Sequence, residues 1–340
     1  MTNRPLISLA ILLLLFAAGG SACPWARTAE ILPVTLPETA NLEQLTAAVN
    51  ANTALVQSVS TTQATISLPG TPAIPVSLAL EPPLRFRLRA TTVLTGSLVD
   101  LGSNDELFWL WIRQNQPPAM YYCRHDQFAM SAARQLMPVE PQWIVEAMGL
   151  ARFDPADQPQ GPIPVGSGRV QIRTIRHSSV GDLSKVTVVD PARGIVLEQN
   201  LYDPASGHLI AASRTSAHRR DPVSGAILPR HIEIEYPSAQ LTMKIDIADL
   251  QVNTLGPQSA ALWTKPQYAG YPDRNLADPS VFAQPGGLQA PASSTISPGV
   301  QVNPPTSPPP SFMPPPAGPT TGAIQAAPTG YRSPRFAPYP

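Results

Sequence analysis

Three loops written in the same five-residue formula constrain this chain more than any other feature. Each reads Asp-Pro-x-x-Gly, and they span residues 190–194, 203–207 and 221–225. Proline presets φ for a turn, aspartate can bond the backbone two residues on, and glycine takes the left-handed position. A tighter break of the same kind follows at residues 236–239. Because β-like segments joined by such short links run antiparallel, residues 183–253 predict a continuous β-meander.

Two strands of this meander alternate cleanly between apolar and polar residues. The first carries Ile232 and Ile234 on one side, and the second carries Met243, Ile245 and Ile247. Because successive strand side chains point to opposite faces, these five residues share one face while polar and charged residues occupy the other. The meander therefore predicts a half-buried sheet with one wet and one apolar face.

An amphipathic helix opens the first half of the chain. Asn41 and Gln44 fit the reciprocal positions of a capping box. Apolar residues then recur at three- and four-residue spacing over about five turns, at Leu42, Leu45, Val49, Val56 and Val59. From residue 61 the period changes to two. The pattern predicts a helix whose apolar stripe packs against a sheet.

The cleanest strand of the first half spans residues 84–90. Phe86 and Leu88 lie on one face, and the other face carries a row of arginines, Arg85, Arg87 and Arg89. A solvated sheet face is the simpler interpretation of that row. A patch for anionic lipid headgroups or an acidic partner is the alternative.

Residues 105–112, which include Trp109 and Trp111, are apolar on both faces. Such a strand is usually covered on both sides, and we expect one side to face the interior of the sheet. Beyond it, the sequence predicts two short helices and then a proline- and glycine-rich loop, over residues 127–137, 141–150 and 154–168.

The N-terminus predicts export to the cell envelope. Arg4 gives a positive n-region, and the uncharged apolar run at residues 6–18 is too short to span a bilayer and fits a secretory signal. The Gly-Ser-Ala before Cys23 resembles a lipobox, in which the cysteine becomes the lipidated first residue and anchors the protein to a membrane. Ordinary cleavage after Ala22, giving a periplasmic protein, is the alternative. We expect a signal peptide and then a tether, over residues 1–22 and 23–39.

Composition separates a folded domain from a tail. Residues 291–340 hold fifteen prolines and only two charged residues, a composition typical of disordered or polyproline-II segments. We expect the folded domain at residues 40–280 and a tail at residues 281–340 that acts as a spacer or binds a protein partner. The 23 basic and 23 acidic residues cancel and form no evident basic patch, so no nucleic-acid partner is expected.

Signals of an enzyme are poor. The sequence contains no Gly-x-Ser-x-Gly elbow, no P-loop, no dinucleotide-binding glycine pattern and no His-Glu-x-x-His. Cys123 and His125 could share a strand face, but a buried inert thiol is the simpler interpretation. The five histidines show no ligand spacing, so no metal or cofactor is expected. A basic cluster of Arg214 and residues 218–220 is interpreted as a solvated hairpin end, with an anion or headgroup site as the alternative.

The order of elements and several short phrases resemble one known superfamily. The phrase Pro82-Pro83-Leu84-Arg85-Phe86-Arg87 looks like its Pro-x-x-Phe-Arg strand start, and Leu262-Trp263-Thr264-Lys265-Pro266 looks like its closing phrase. Between them, the strands of residues 183–253 resemble its second half. Over roughly residues 40–275 the chain thus resembles the periplasmic lipoprotein carriers and receptors of the LolA, LolB and LppX-like group. The proline-rich tail departs from that group.

The resemblance implies an α+β fold that is mostly antiparallel β. Its form would be a curved, half-open barrel of about 10–11 strands, with an N-terminal helix and short helices on the concave side. It also implies a non-enzymatic envelope lipoprotein that binds an acyl chain of a lipid or lipoprotein in an apolar hollow, in lipid or lipoprotein trafficking. The residues expected to line that hollow are Ile66, Val76, Leu78, Phe86, Leu88, Trp109, Trp111, Ile232, Ile234, Met243, Ile245 and Ile247.

Two other functions stay open. The same fold with a filled cavity would suit a structural or sensory envelope protein that acts through protein contacts, because regulators of anti-sigma factors resemble this fold. An enzyme is retained as a third hypothesis only because Cys123 and His125 lie two residues apart. Whether the hollow is open or filled decides between the first two.

Overall fold

The computed structural model describes residues 30–92, 96–131, 134, 140–178 and 181–283. Over these residues the chain forms a fifteen-stranded, mostly antiparallel sheet, a separate two-stranded hairpin, an N-terminal helix and a few short helices. The expected signal peptide, the lipidation site Cys23, part of the tether and most of the tail lie outside the described residues. No helix in the described part of the chain has both the length and the apolar character needed to cross a bilayer.

The helices are α1 (Leu42–Ala54), α2 (His125–Phe128), α3 (Pro141–Ala147) and α4 (Ser280–Ala283), with 3₁₀ turns at Pro155–Asp157, Pro237–Ala239 and Pro257–Trp263. The strands are β1 (Val59–Ser67), β2 (Ile74–Glu81), β3 (Arg85–Thr92), β4 (Gly96–Ser103), β5 (Leu107–Ile112), β6 (Met120–Arg124), β7 (Gln160–Gly166), β8 (Arg169–Ser178), β9 (Gly181–Asp190), β10 (Ile195–Tyr202), β11 (Leu209–Ser216), β12 (Arg219–Arg220), β13 (Ile227–Leu228), β14 (His231–Tyr236), β15 (Leu241–Ile247), β16 (Gln251–Val252) and β17 (Asp273–Asn275).

The main sheet runs in the order β17-β6-β5-β4-β3-β2-β1-β15-β14-β11-β10-β9-β8-β7, and β16 adds to β1. Its two outer strands, β17 and β7, do not pair with each other, so the sheet is not closed. Within it, β17 runs parallel to β6, and the other strand pairs are antiparallel. The predicted fold class is therefore confirmed: a mostly antiparallel sheet consistent with a curved, half-open barrel.

The meander forms through the turn chemistry that the sequence displays. Asp190, Asp203 and Asp221 each accept a hydrogen bond from the backbone two residues on, at 3.0, 3.0 and 3.2 Å. The glycine that ends each turn has φ of +63°, +70° or +77°. These turns fix the register, so that Ile232 lies opposite Ile245 on the neighbouring strand.

Helix α1 begins as predicted and ends early. The capping box between Asn41 and Gln44 is confirmed, with hydrogen bonds of 2.9 and 3.0 Å. The helix ends at Ala54 rather than continuing through Val59, which is the first residue of β1. The side chain of Asn253 imposes this end, because its Oδ1 accepts the amides of residues 57 and 58 while its Nδ2 donates to the Leu55 carbonyl.

Two further strands correct the sequence analysis. Residues 154–168 were expected to be a loop, yet Gln160–Gly166 forms β7, the outer strand of the sheet. Proline is compatible with an outer strand because no neighbour needs its missing amide there. Strand β4, residues Gly96–Ser103, lacks a regular alternation and was not predicted. These strands, with short β16 and β17, raise the strand count above the expected 10–11.

Part of the expected tether is docked on the domain. The amides of Thr35 and Leu36 donate to the carbonyl of Ala192 in the first Asp-Pro-x-x-Gly turn, at 2.9 and 3.1 Å. Gly194 ends that turn directly against helix α1, where an added Cβ would lie 2.7 Å from the Ala48 Cβ. This turn therefore joins the N-terminal segment, the helix and the meander.

We expect Gly194→Ala to lower the free energy of unfolding by about 2–4 kcal/mol, measured by urea denaturation. The substitution adds left-handed backbone strain of about 1 kcal/mol to a steric conflict with Ala48. Gly207→Ala is the matched control, because Gly207 has the same turn position and φ of +70° but open space around its Cβ. Equal losses in the two variants would show that close packing of the turn on α1 contributes nothing.

Candidate functional site

An apolar wall covers the inner face of β1–β3, β14 and β15. Eight of the residues predicted to line a hollow lie in one buried core cluster there: Val76, Leu78, Phe86, Leu88, Ile232, Ile234, Ile245 and Ile247. Two more, Ile66 and Met243, are partly buried and pack against that cluster. The strand register brings them together across two halves of the sequence, since β1 pairs with β15. We call these ten residues the apolar wall.

Trp109 and Trp111 do not belong to the apolar wall, and their prediction is corrected. Trp109 pairs with Gly102, which in turn pairs with Arg87, so both tryptophans share the arginine face of the sheet. There they form a separate buried cluster with Met120. Strand β5 is apolar on both faces, and alternation therefore could not tell which face turns inward.

Helix α3 and the residues after it cover the apolar wall. Trp143 and Val145 are 1% exposed, and Met148 and Leu150 join the same core cluster. The Trp143 ring meets the Tyr236 ring edge to face, with centroids 5.8 Å apart. The cavity left between Met148, Leu150 and the wall is about 10 Å³, room for roughly one water molecule. In this conformation the hollow is filled by the protein's own side chains.

A buried charged cluster holds α3 in place. The Glu146 carboxylate lies 2.6 Å from Lys185 Nζ on β9 and 2.7 Å from Arg176 Nη1 on β8. Gln199 Nε2 on β10 donates to the Glu146 carbonyl at 2.9 Å. Burial alone would raise the pKa of the Glu146 carboxyl, but the charges and hydrogen bonds of Lys185 and Arg176 outweigh it and lower that pKa.

A polar row extends beneath α3 from this cluster. Thr187, Gln199 and Ser213 lie side by side on β9, β10 and β11, and each is at most 1% exposed. Each has a buried side-chain oxygen without a hydrogen-bond partner among the described residues. The buried indole nitrogen of Trp143 also lacks a partner there. Helix α3 thus packs partly against apolar side chains and partly against polar side chains whose hydrogen bonds are incomplete. The sequence offers three isolated polar residues here, and only the strand register unites them.

The arginine row is less exposed than predicted. Arg87 is buried, and its guanidinium binds Asp100 through Nη2 and Nε at 2.7 and 3.1 Å. Asp100 also accepts hydrogen bonds from Trp109 Nε1 and from the Tyr268 hydroxyl, at 3.2 and 2.8 Å. Trp111 stacks on Tyr268 with ring centroids 3.9 Å apart. Residues 257–271 therefore cover this outer face around Arg87, which corrects the prediction of a solvated face there, whereas Arg89 is exposed as predicted.

Cys123 and His125 do not form a pair. The Cys123 thiol is fully buried, its Sγ lies 3.9 Å from the Ser131 hydroxyl, and burial raises its pKa. His125 instead places Nε2 2.8 Å from the Asn104 carbonyl. No group of three or more His, Cys, Asp or Glu side chains that could hold a metal ion occurs among the described residues.

Comparison with known proteins returns structural neighbours alone. No protein-family model matches the sequence, and no curated protein matches it. A putative outer membrane lipoprotein-sorting protein domain from Vibrio parahaemolyticus is 12% identical, with a TM-score of 0.45 over 64% of this chain and 97% of its own. A DUF1329 family protein from Desulfovibrio piger is also 12% identical, with a TM-score of 0.43 over 64% of this chain and 95% of its own.

A LolA superfamily protein from Nitrosomonas europaea is 11% identical, with a TM-score of 0.37 over 63% of this chain and 96% of its own. The name of this neighbour contains the superfamily that the sequence phrases resemble. At this identity the likeness concerns the fold alone.

We expect Glu146→Gln to lower the free energy of unfolding by about 3 kcal/mol at pH 7, because it leaves Lys185 and Arg176 buried without a carboxylate. The pKa of Glu146 is lower in the folded than in the unfolded protein. Its contribution to stability is therefore complete above the unfolded pKa of about 4.3 and is lost as the pH falls from there through the folded pKa. The difference in free energy of unfolding between wild type and variant, measured by urea denaturation at each pH, should therefore shrink as the pH falls from about 6 to about 3.

Glu198→Gln is the control, because it removes the same charge from a partly exposed pair with Arg169. Its cost should stay below about 1 kcal/mol. If both variants lost the same stability with the same pH dependence, the buried cluster would not be what holds α3.

Proposed function

We propose that this chain is a non-catalytic envelope protein that binds an acyl chain of a lipid or lipoprotein against the apolar wall. In the conformation described, α3 occupies that place, and binding requires α3 to move aside. The observation that supports this proposal is the cover itself: a wall spanning five strands is covered by a helix of seven residues and the short segment after it. That helix rests partly on a polar row whose hydrogen bonds are incomplete.

The energies of displacement and binding are of similar size. Removing the Trp143 ring from the wall costs about 3–5 kcal/mol, and separating the Glu146 cluster costs about as much again. Each acyl methylene that enters the wall returns about 0.8 kcal/mol. A chain of about ten or more carbons therefore offsets the opening of α3, whereas a short chain does not. This balance favours long acyl chains as ligands.

The N-terminal sequence supports a place at a membrane. We propose that the exported chain is anchored through a lipid on Cys23, as its lipobox-like context indicates, and that the tail at residues 281–340 acts as a spacer or binds a protein partner. Metabolic labelling with an alkyne fatty acid should mark the wild type and leave Cys23→Ser unmarked. An unlabelled wild type would instead support cleavage after Ala22 and a periplasmic protein.

The filled hollow favours a second candidate function. The side chains of α3 and of the residues after it pack into one core cluster with the apolar wall, and the cavity beside Met148 and Leu150 is about 10 Å³. A structural or sensory protein that acts through protein contacts would need nothing more. This alternative and acyl binding differ in one measurable respect, which is whether α3 ever yields its place to a ligand.

We expect wild-type protein to take up a fluorescent fatty acid of sixteen carbons, and Trp143→Ala to bind it at least fivefold more tightly. Removing the indole leaves apolar space that the ligand can fill, although the variant itself loses about 3–5 kcal/mol of stability. Displacement by unlabelled palmitate and native mass spectrometry would measure the affinity and the bound mass.

Trp111→Ala serves as the matched control. It removes an equally buried indole from the opposite face of the sheet, so the loss of stability should be similar while uptake stays unchanged. If neither the wild type nor Trp143→Ala takes up fatty acid, acyl binding is refuted and the filled-cavity function is favoured.

A further inference from the structure

A different pocket, which shares Ile247 with the apolar wall, lies where the N-terminal segment meets the end of the meander. Its volume is about 680 Å³. It is bounded by Glu30 and Leu32 of that segment, by residues 217–219 at the β12 hairpin, by residues 230–231 and 246–248, and by the β1 residues 63–65. Two guanidinium groups, those of Arg219 and Arg230, belong to its lining.

Arg230 lines this pocket, and two of its side-chain nitrogens have unused hydrogen-bonding capacity. Its Nε and Nη1 are buried, and neither has a hydrogen-bond partner among the described residues. Among the described residues, no carboxylate lies within ion-pair distance of Arg230 or Arg219. Burial, followed by the neighbouring charge of Arg219, lowers the pKa of the Arg230 guanidinium, and the carboxylates of Asp249, Asp221 and Glu30, none of them in an ion pair with Arg230, offset this in part. Donors of a buried cation normally face an acceptor, because leaving them unpaired is costly.

The other ionisable groups of the pocket do not supply that acceptor. Asp246 is engaged by His231 Nδ1 at 2.7 Å. Glu30 accepts the Arg220 amide at 3.4 Å and forms no ion pair with either arginine in the described part of the chain. Burial lowers the pKa of His218 to about 4, so this side chain is neutral near pH 7. The positive charge that faces the pocket without a paired anion is that of the two arginines.

We propose that this pocket binds the phosphate group of a phosphate ester through Arg219 and Arg230. Guanidinium forks match phosphate oxygens in geometry and remain charged at any working pH. Apolar side chains of Leu32 and Ile247 line the same space and would contact the organic part of the ester. The volume exceeds what an inorganic anion alone would fill, which favours an ester such as a glycerophosphate.

Two sources share this chemistry: a phospholipid headgroup and a free phosphate ester. Glu30 follows Cys23 by seven residues, and seven extended residues span at most about 25 Å. A lipid on Cys23 would therefore hold the pocket close to the headgroups of its membrane. This inference does not depend on acyl binding at the apolar wall, because Ile247 is the one wall residue that also lines the pocket, and neither Arg219 nor Arg230 belongs to the wall.

The test uses the full chain, calorimetric titration and three water-soluble probes: sn-glycerol 3-phosphate, dihexanoyl phosphatidylglycerol and the zwitterionic dihexanoyl phosphatidylcholine. We expect at least one of the first two to bind at least tenfold more tightly than the third. Binding of glycerol phosphate as tight as that of the anionic lipid assigns a free ester as ligand. Tighter binding of the anionic lipid assigns a headgroup.

Arg219→Gln and Arg230→Gln should each weaken that binding at least tenfold. Arg214→Gln is the matched control, because it removes the same charge from a nearby strand where Arg214 pairs with Glu233 and Glu235 at 3.6 and 3.7 Å. It should change the affinity less than twofold. Arg219 makes no side-chain hydrogen bond among the described residues, so its variant keeps the test decisive even if Arg230→Gln fails to fold.

Thermal unfolding gives an independent reading. The preferred probe should raise the Tm of the wild type and of Arg214→Gln, and leave the Tm of Arg219→Gln unchanged. The proposal is overturned if neither sn-glycerol 3-phosphate nor dihexanoyl phosphatidylglycerol binds, or if Arg219→Gln binds its probe and is stabilised as well as the wild type.

Discussion

The rest of the domain depends on one buried electrostatic contact, the carboxylate of Glu146 between Lys185 and Arg176. It joins a short helix from the middle of the chain to two strands of the meander, which a seven-residue helix could not achieve by its own stability. A buried ion pair of this kind gives little net stabilisation, but removing one partner is costly. It therefore specifies the position of the helix more than it adds to the stability of the domain. Helix α3 consequently has a defined position over the apolar wall, although the ion pairs add little net free energy to its binding there.

The opposite face of the sheet repeats this arrangement with different residues. Asp100, fully buried, gathers Arg87, Trp109 and Tyr268, and thereby holds the C-terminal segment over the outer side of β3–β5. Each half of the wide sheet is thus covered by an irregular or short segment that a buried carboxylate secures. Strand β5 is apolar on both faces because Trp109 and Trp111 pack beneath the C-terminal segment while Phe108 packs against Phe128.

Local patterns in the sequence predicted more of the fold than of the site. The Asp-Pro-x-x-Gly turns and the alternation of β3, β14 and β15 identified the meander and its apolar face, because those signals are contained within a few residues. The side on which Trp109 lies could not be predicted, since alternation carries no information in a strand that is apolar throughout. The polar row of Thr187, Gln199 and Ser213 depends on register across bulged strands, and the Glu146 cluster joins residues 30 and 39 positions apart. Such contacts exist only once the sheet has formed.

In the described part of the chain, the sheet of fifteen strands ends in two outer strands, and an outer strand can recruit a second chain into a growing fibre. At one edge, β7 contains Pro162 and Pro164, so two of its seven residues have no amide hydrogen to offer. At the other edge, β17 is only three residues long. Because β7 contains two prolines and β17 is short, neither outer strand offers many backbone groups to an incoming strand. The prolines that made this segment look like a loop thus favour a protein that stays unpolymerised at high local concentration.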